Sequence, residues 1–104
     1  MRTLMRVSIP VESGNRGIKD GVLEHAIQET MERLRPEAAY FYPEDGRRTC
    51  LMVFDLQSPA DLPPITEPFF MALNASVEMY PVMNVEDLKK GLSSMMERQG
   101  AARR

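Results

Sequence analysis

The stretch of sequence that decides the fold is MRTLMRVSIP, residues 1–10, because its alternate positions differ in chemistry. Successive side chains of a β-strand point to opposite faces, so this stretch predicts a strand with one apolar and one mixed face. The apolar face consists of Met5, Val7 and Ile9. The mixed face consists of Leu4, Arg6 and Ser8. The mixed face is too charged for a sealed core and too apolar for open water, so a function is sought there.

Composition bounds the class of protein. The chain has 104 residues, 43% hydrophobic and 27% charged, which suits one globular domain. Its net charge of −2, with no basic stripe, gives no indication of nucleic-acid binding. No run approaches the roughly 20 apolar residues of a membrane helix, and Arg6 interrupts any signal peptide, so we expect a cytoplasmic protein with no membrane partner. The single cysteine, Cys50, excludes an internal disulfide and a cysteine metal cluster, and we expect no metal and no cofactor.

The first half of the chain predicts a helix and a hairpin after the first strand. Turn-forming residues predict a loop over 10–17, and apolar residues spaced by three and four predict a helix that ends at about Leu34. Strands are predicted over 38–42 and 49–56. They are joined by a tight turn over Glu44-Asp45-Gly46, because glycine tolerates the positive φ that hairpin turns require.

The second half predicts a helix, an edge strand and a final helix. The first of these helices ends near Leu73 and is shortened or kinked by Pro68, which lacks a backbone N–H. The strand, over 77–83, lies at a sheet edge because Pro81 cannot donate to a ladder. Asn84 caps the last helix. We expect this helix to bury an apolar stripe made of Leu88, Leu92, Met95 and Met96.

The order of these elements predicts an α+β fold. Two strand–helix–strand units with a hairpin between them form a ferredoxin-like βαββαβ sandwich, here with an added C-terminal helix. Its antiparallel four-stranded sheet has the order 4-1-3-2, which puts the fourth strand at an edge, as its proline requires. We expect one domain over 1–97 and a frayed tail over 98–104.

The strand face away from the helices, which we name the open face, is semi-polar on every strand. It comprises Leu4, Arg6, Ser8, Tyr40, Tyr42, Thr49, Leu51, Val53, Asp55, Ser76, Glu78, Tyr80 and Val82. Its cover is either a partner sheet or a bound ligand, and a homodimer is expected because most soluble oligomers are symmetric dimers. Two such sheets would enclose a cavity. Its candidate ligand-binding residues are Arg6, Tyr40, Tyr42, Asp55, Glu78 and Tyr80.

Arg6 is predicted to pair with Glu78 across neighbouring strands. The pair is either an anion-binding guanidinium tuned by a carboxylate or a neutralised pair inside an interface. The tyrosines either stack on a planar ligand and transfer protons or pack at an interface. His25 is predicted to be exposed on its helix, and Cys50 to be buried and inert. No sequence pattern indicates a standard catalytic site, so the catalytic residues stay unknown.

The C-terminal half resembles a known superfamily. The segments EPFFMALNASVE (67–78), PVM (81–83) and EDL (86–88) are similar to those of a small bacterial family of unknown function with the dimeric α/β-barrel fold. That superfamily includes muconolactone isomerases and heme-degrading and quinol monooxygenases. The resemblance implies a dimer with a central cavity, and heme degradation would require a histidine inside it, whereas His25 is predicted outside.

The sequence therefore leaves three functions open. The first is a small-molecule-binding or accessory homodimer with a semi-polar cavity on its sheet face. The second is a small isomerase or cofactor-independent monooxygenase that acts on an anionic or aromatic substrate, with Arg6 binding the anion and with Glu78 and Tyr80 transferring protons. The third is an interaction module whose cavity is filled by its own side chains.

Overall fold

The structure, a computed structural model, describes residues 1–102. Its strands are β1 (Arg2–Ile9), β2 (Ala38–Glu44), β3 (Arg47–Asp55) and β4 (Ser76–Pro81). Its helices are α1 (Val11–Asp20), α2 (Val22–Leu34), α3 (Leu62–Leu73) and α4 (Val85–Ala102), and a 3-10 turn at Pro59–Asp61 leads into α3. Of the tail predicted over 98–104, the part to Ala102 belongs to α4, and 103–104 lie outside the described residues.

The four strands form one antiparallel sheet in the order β2-β3-β1-β4. This is the predicted order 4-1-3-2 counted from the opposite edge, so the ferredoxin-like α+β prediction is confirmed. Glu44 pairs with Arg47, which leaves Asp45 and Gly46 as a two-residue turn. Both turn residues have positive φ, 54° and 74°, as a type I′ hairpin requires.

The core lies between the sheet and the first three helices. The predicted apolar face of β1 is buried there, with Met5 and Val7 fully inaccessible to solvent. Met52 on β3 and Phe69 and Leu73 on α3 are equally inaccessible. Burying a side chain of this size stabilises the fold by about 1.5–3 kcal/mol, so this layer accounts for much of the stability.

The loop predicted over 10–17 is wrong, because α1 occupies this segment. Its small residues are explained by close packing instead of by turns. A Cβ on Gly17 would lie 2.8 Å from Cδ2 of Leu73, and the buried Ser13 hydroxyl donates to the Leu73 carbonyl at 2.5 Å. The chain changes direction at Gly21, whose φ of 82° separates α1 from α2.

The end of α3 is as predicted. The helix ends at Leu73, and Asn74 follows it in the left-handed conformation. Pro68 lies inside the helix, which is continuous from Leu62 to Leu73. Among residues 1–102, no helix has the length and apolar character that crossing a membrane requires.

Helix α4 begins as predicted but packs differently. Asn84 accepts a hydrogen bond from the Asp87 backbone N–H at 2.8 Å, and the Asp87 carboxylate accepts one from the Asn84 N–H at 3.1 Å. This reciprocal arrangement is a capping box. The prediction that the stripe of α4 is buried is wrong, because each of its apolar residues is exposed: Leu88, Leu92, Met95 and Met96. The first three helices already cover the helix side of the sheet, and the stripe of α4 is left exposed.

Candidate functional site

The open face is held in register by the central strand β1. Arg6 lies opposite Glu78 on β4 and opposite Leu51 on β3. Leu51 in turn lies opposite Tyr40 on β2, so these side chains form one row across the sheet. None of the helices α1 to α3 packs on this side, and the apolar residues Leu4, Leu51 and Val53 are only partly buried.

Arg6 is the centre of an ionic cluster on this face. Its Nη1 donates to Oε1 of Glu78 at 2.8 Å, which confirms the predicted pair. Its other terminal nitrogen forms an ion pair with Oε2 of Glu44, a residue that the sequence reasoning assigned to the turn and missed. Glu44 could have been found, because it has the same strand parity as Tyr40 and Tyr42. Both terminal nitrogens of Arg6 are therefore occupied by carboxylates.

Two tyrosines extend the cluster outward. Tyr42 donates its hydroxyl hydrogen to Oε1 of Glu44 at 2.9 Å, and Tyr80 donates to Oε2 of Glu78. This hydrogen bond and the negative charge of Glu78 raise the pKa of Tyr80, because both favour the protonated phenol. The hydrogen bonds connect the five side chains in the order Tyr42, Glu44, Arg6, Glu78 and Tyr80. We name this set the Arg6 cluster.

Four of the six candidate residues thus meet in the Arg6 cluster, and two do not. Tyr40 lies in the same row, but its side chain is 68% exposed. Asp55 lies at the far end of β3, where its carboxylate contacts the terminal amine of Met1. Hydrogen bonding to that amine and its positive charge lower the pKa of Asp55.

The Asp55 end of the open face also contains the start of α4. Arg2 binds the Glu37 carboxylate at 2.6 Å and the Asp87 carboxylate at 3.3 Å. These residues border a depression of about 670 Å³ that also includes Asp55 and Val82. The first turn of α4 is therefore fixed beside the Asp55 end of the open face.

The obvious catalytic side chains lie elsewhere. His25 is 79% exposed on α2, beside the Glu29 carboxylate at 3.3 Å, as predicted. Cys50 is buried on the helix side of β3, as predicted, and burial raises the pKa of its thiol to about 11. A thiol that stays protonated at neutral pH is a poor nucleophile. Within residues 1–102 no group of three or more acidic, histidine or cysteine side chains could hold a metal ion.

Comparison with known proteins identifies no relative from which a function could be inferred. No protein-family model and no curated protein matches the chain at a significant level. The ferredoxin-like α+β fold therefore stands on the structure itself, and membership of the dimeric α/β-barrel superfamily stays a prediction. Chemically, the Arg6 cluster offers two fixed carboxylates and two phenol rings on a surface that remains accessible.

Proposed function

We propose that this protein is a homodimer whose two open faces pack together and enclose a cavity for a small neutral or cationic organic molecule. The observation that carries this proposal is the Arg6 cluster. One guanidinium and two carboxylates sum to a charge of −1, and each polar group is already oriented by a neighbour. Such a preorganised, half-buried network suits a covered surface better than open water.

The area of the face supports a dimer when α4 is included. Four strands spaced by about 4.8 Å and about seven residues long at about 3.4 Å each give a projected face of roughly 450 Å². A standard interface buries about 800 Å² on each partner, so the sheet alone is small. The exposed stripe of α4 adds the missing apolar surface, and Asp87 fixes the start of α4 beside the open face.

Burial of the apolar stripe of α4 in a dimer would also stabilise this helix. A helix in water owes most of its stability to packing of its apolar face, and a single isolated helix is marginal. Helix α4 has a capping box, but the apolar residues of its stripe are exposed. A second copy of the chain would bury this stripe.

The charge of the Arg6 cluster determines which class of ligand it would bind. The isomerase interpretation needs Arg6 to bind an anionic substrate. Because Glu44 and Glu78 occupy both terminal nitrogens of Arg6, the cluster favours a neutral hydrogen-bonding or cationic ligand instead. Tyr40 and Tyr80, both well exposed, would stack on a planar ligand.

The dimer is tested by light scattering with size-exclusion chromatography at micromolar concentration. Leu51→Arg puts a charge in the centre of the open face and should produce monomers. The matched control is Met71→Arg, because Met71 is 84% exposed on α3 and away from the open face. A wild-type monomer, or a Leu51→Arg dimer as stable as the wild type, would contradict the proposal.

The ligand class is tested by thermal shift with planar ammonium compounds, planar neutral amides and planar carboxylates of equal size. We expect shifts with the first two classes only, and we expect Glu78→Gln to reduce the shift with the ammonium compounds most. Shifts confined to the carboxylates would instead support the anionic-substrate interpretation.

A further inference from the structure

A second cavity, of about 300 Å³, lies on the helix side of the sheet, opposite to the open face. We name it the β2 cavity because strand β2 forms one of its walls. Residues of β1, β2, β3, α2 and α3 surround it, so it is a pocket with several walls and not a flat apolar patch. The side chains of its apolar wall are Ile9, Leu23, Ile27, Phe41, Pro43 and Phe69.

The β2 cavity lies where the helix layer stops short of the edge strand. Cys50 on β3 faces the helices and is buried. Phe41 pairs with Cys50 from β2 and faces the same side, but it is 52% exposed. The space between β2 and α2 is therefore left unfilled, and solvent reaches it beside Phe41.

The polar side chains that border the β2 cavity direct their polar atoms elsewhere. Both terminal nitrogens of Arg48 donate to acceptors on α1, so its charge points away from the cavity. The Tyr42 hydroxyl donates to Glu44 on the open face, and the Thr49 hydroxyl donates to a backbone carbonyl of its own strand at 3.1 Å. The Cys50 thiol stays uncharged at neutral pH because burial raises its pKa to about 11. The wall is therefore almost wholly apolar.

An apolar wall determines the chemistry of what the β2 cavity can hold. A buried water needs about two to four polar partners, and a cavity lined by leucine, isoleucine and phenylalanine stays dry. A charged ligand would lose its hydration on entering and would gain no partner, which makes its binding unfavourable. The wall of the β2 cavity therefore favours an occupant that is uncharged and apolar.

The volume and the walls of the β2 cavity indicate the size and shape of that occupant. An apolar cavity of about 150 Å³ binds benzene. The β2 cavity, at about 300 Å³, has twice this volume, which suits two fused aromatic rings. Phe41 on β2 and Phe69 on α3 provide aromatic contacts for such a ring system. A rigid ligand also loses less conformational entropy on binding than a flexible chain of equal size.

We propose that the β2 cavity binds a small uncharged aromatic molecule of about two fused rings, which contacts Ile27, Phe41 and Phe69. Ligand pockets range over about 300–1,000 Å³, so the cavity lies at the small end of this range. The site is on the other side of the sheet from the Arg6 cluster and does not depend on the proposed dimer or its ligand. The two sites also differ in chemistry, because the Arg6 cluster offers carboxylates and hydroxyl groups whereas the β2 cavity offers neither.

The test is a titration of the full chain with naphthalene, followed in methyl NMR spectra, with naphthalene-2-carboxylate as the charged probe that has the same rings. We expect saturable binding of naphthalene and binding of the carboxylate that is weaker by about 10-fold or more. Phe41→Ala should weaken naphthalene binding by about 10-fold, because one aromatic wall is lost. Phe70→Ala is the matched control, because Phe70 is an exposed phenylalanine on α3 that is not part of the cavity wall.

A cavity-filling variant and the positions of the NMR shifts locate the site. Ile27→Phe should fill the cavity and abolish naphthalene binding, and circular dichroism should show that each variant is folded. Because Phe41 is half exposed, Phe41→Ala keeps the test available if Ile27→Phe does not fold. In the wild type, the shifts that naphthalene causes should be centred on the methyl groups of Ile9, Leu23 and Ile27.

Four outcomes would overturn the proposal. The first is the absence of saturable shifts, and the second is binding of the carboxylate as tightly as naphthalene. The third is binding by Phe41→Ala that equals that of the wild type. The fourth is a set of shifts centred on Leu51 and Val53 of the open face. Nuclear Overhauser effects between Ile27 and α4 of a second copy would also contradict it, because the cavity would then be filled by the protein itself.

Discussion

Replacing Arg6 by methionine is the sharpest test of the Arg6 cluster. The change keeps the length and apolar stem of the side chain but leaves Glu44 and Glu78 without their shared cation. Two hydrogen bonds to charged groups in a buried site would contribute about 1.5–3 kcal/mol each. Exposed ion pairs contribute only about 0.2–1 kcal/mol each, and the Arg6 side chain is 24% exposed, between these limits. We therefore expect Arg6→Met to lower the free energy of unfolding by about 2 kcal/mol.

The assay is urea unfolding at neutral pH, with all variants at the same protein concentration because the stability of a dimer depends on it. The triple variant Arg6→Met, Glu44→Gln, Glu78→Gln removes the repulsion as well as the cation and should recover most of the loss. Arg47 is an exposed arginine on the same face of the sheet. Arg47→Met should therefore change the free energy of unfolding by less than about 0.5 kcal/mol. The reasoning is refuted if the single and triple variants are equally unstable, because the loss would then come from packing and not from charge.

Three further predictions concern other parts of the fold. Burial raises the pKa of the Cys50 thiol to about 11, so the thiol stabilises the fold at pH values below its unfolded-chain pKa of about 8.5. This contribution is lost as the pH rises through about 11. The free energy of unfolding of Cys50→Ala, measured by urea unfolding, should therefore fall less at alkaline pH than that of the wild type. Equal falls in the two proteins would refute the burial argument. Ser13→Ala should reduce the free energy of unfolding by about 1–3 kcal/mol, measured by urea unfolding, because the buried Leu73 carbonyl loses its donor. Asn84→Ala should cost about 0.5–2 kcal/mol of local helix stability, seen as faster amide exchange in α4 but not in α2.

The sheet could be predicted from the sequence because its signals are local. The alternation of apolar and polar residues around Arg6 distinguishes the two faces of β1. Asp45-Gly46 fits the turn that joins β2 to β3. The position of β4 followed from Pro81, which lies in the last position of an edge strand. Each of these signals depends on residues a few positions apart.

The errors came from contacts that are distant in sequence. Gly14 and Gly17 resemble turn residues, but they are small because Arg48 and Leu73 approach them closely in the fold. The stripe of α4 has the spacing of a buried helix, and the sequence cannot show that the helix leaves this stripe exposed. The Arg6 cluster was half predicted for the same reason: the pair with Glu78 follows from neighbouring strands, whereas Glu44 lies two strands away from Arg6.

The distribution of aromatic residues gives this protein an internal optical reporter. The chain has three tyrosines and no tryptophan, and Tyr40, Tyr42 and Tyr80 all lie on the open face. Its intrinsic near-ultraviolet fluorescence therefore originates from that one surface. Events there, such as association of two copies or docking of a ligand on the Arg6 cluster, should change this emission directly. Phenylalanine fluoresces far more weakly than tyrosine, so the buried Phe54 and Phe69 contribute little to this emission. Unlabelled protein can therefore be used to follow the open face of the sheet.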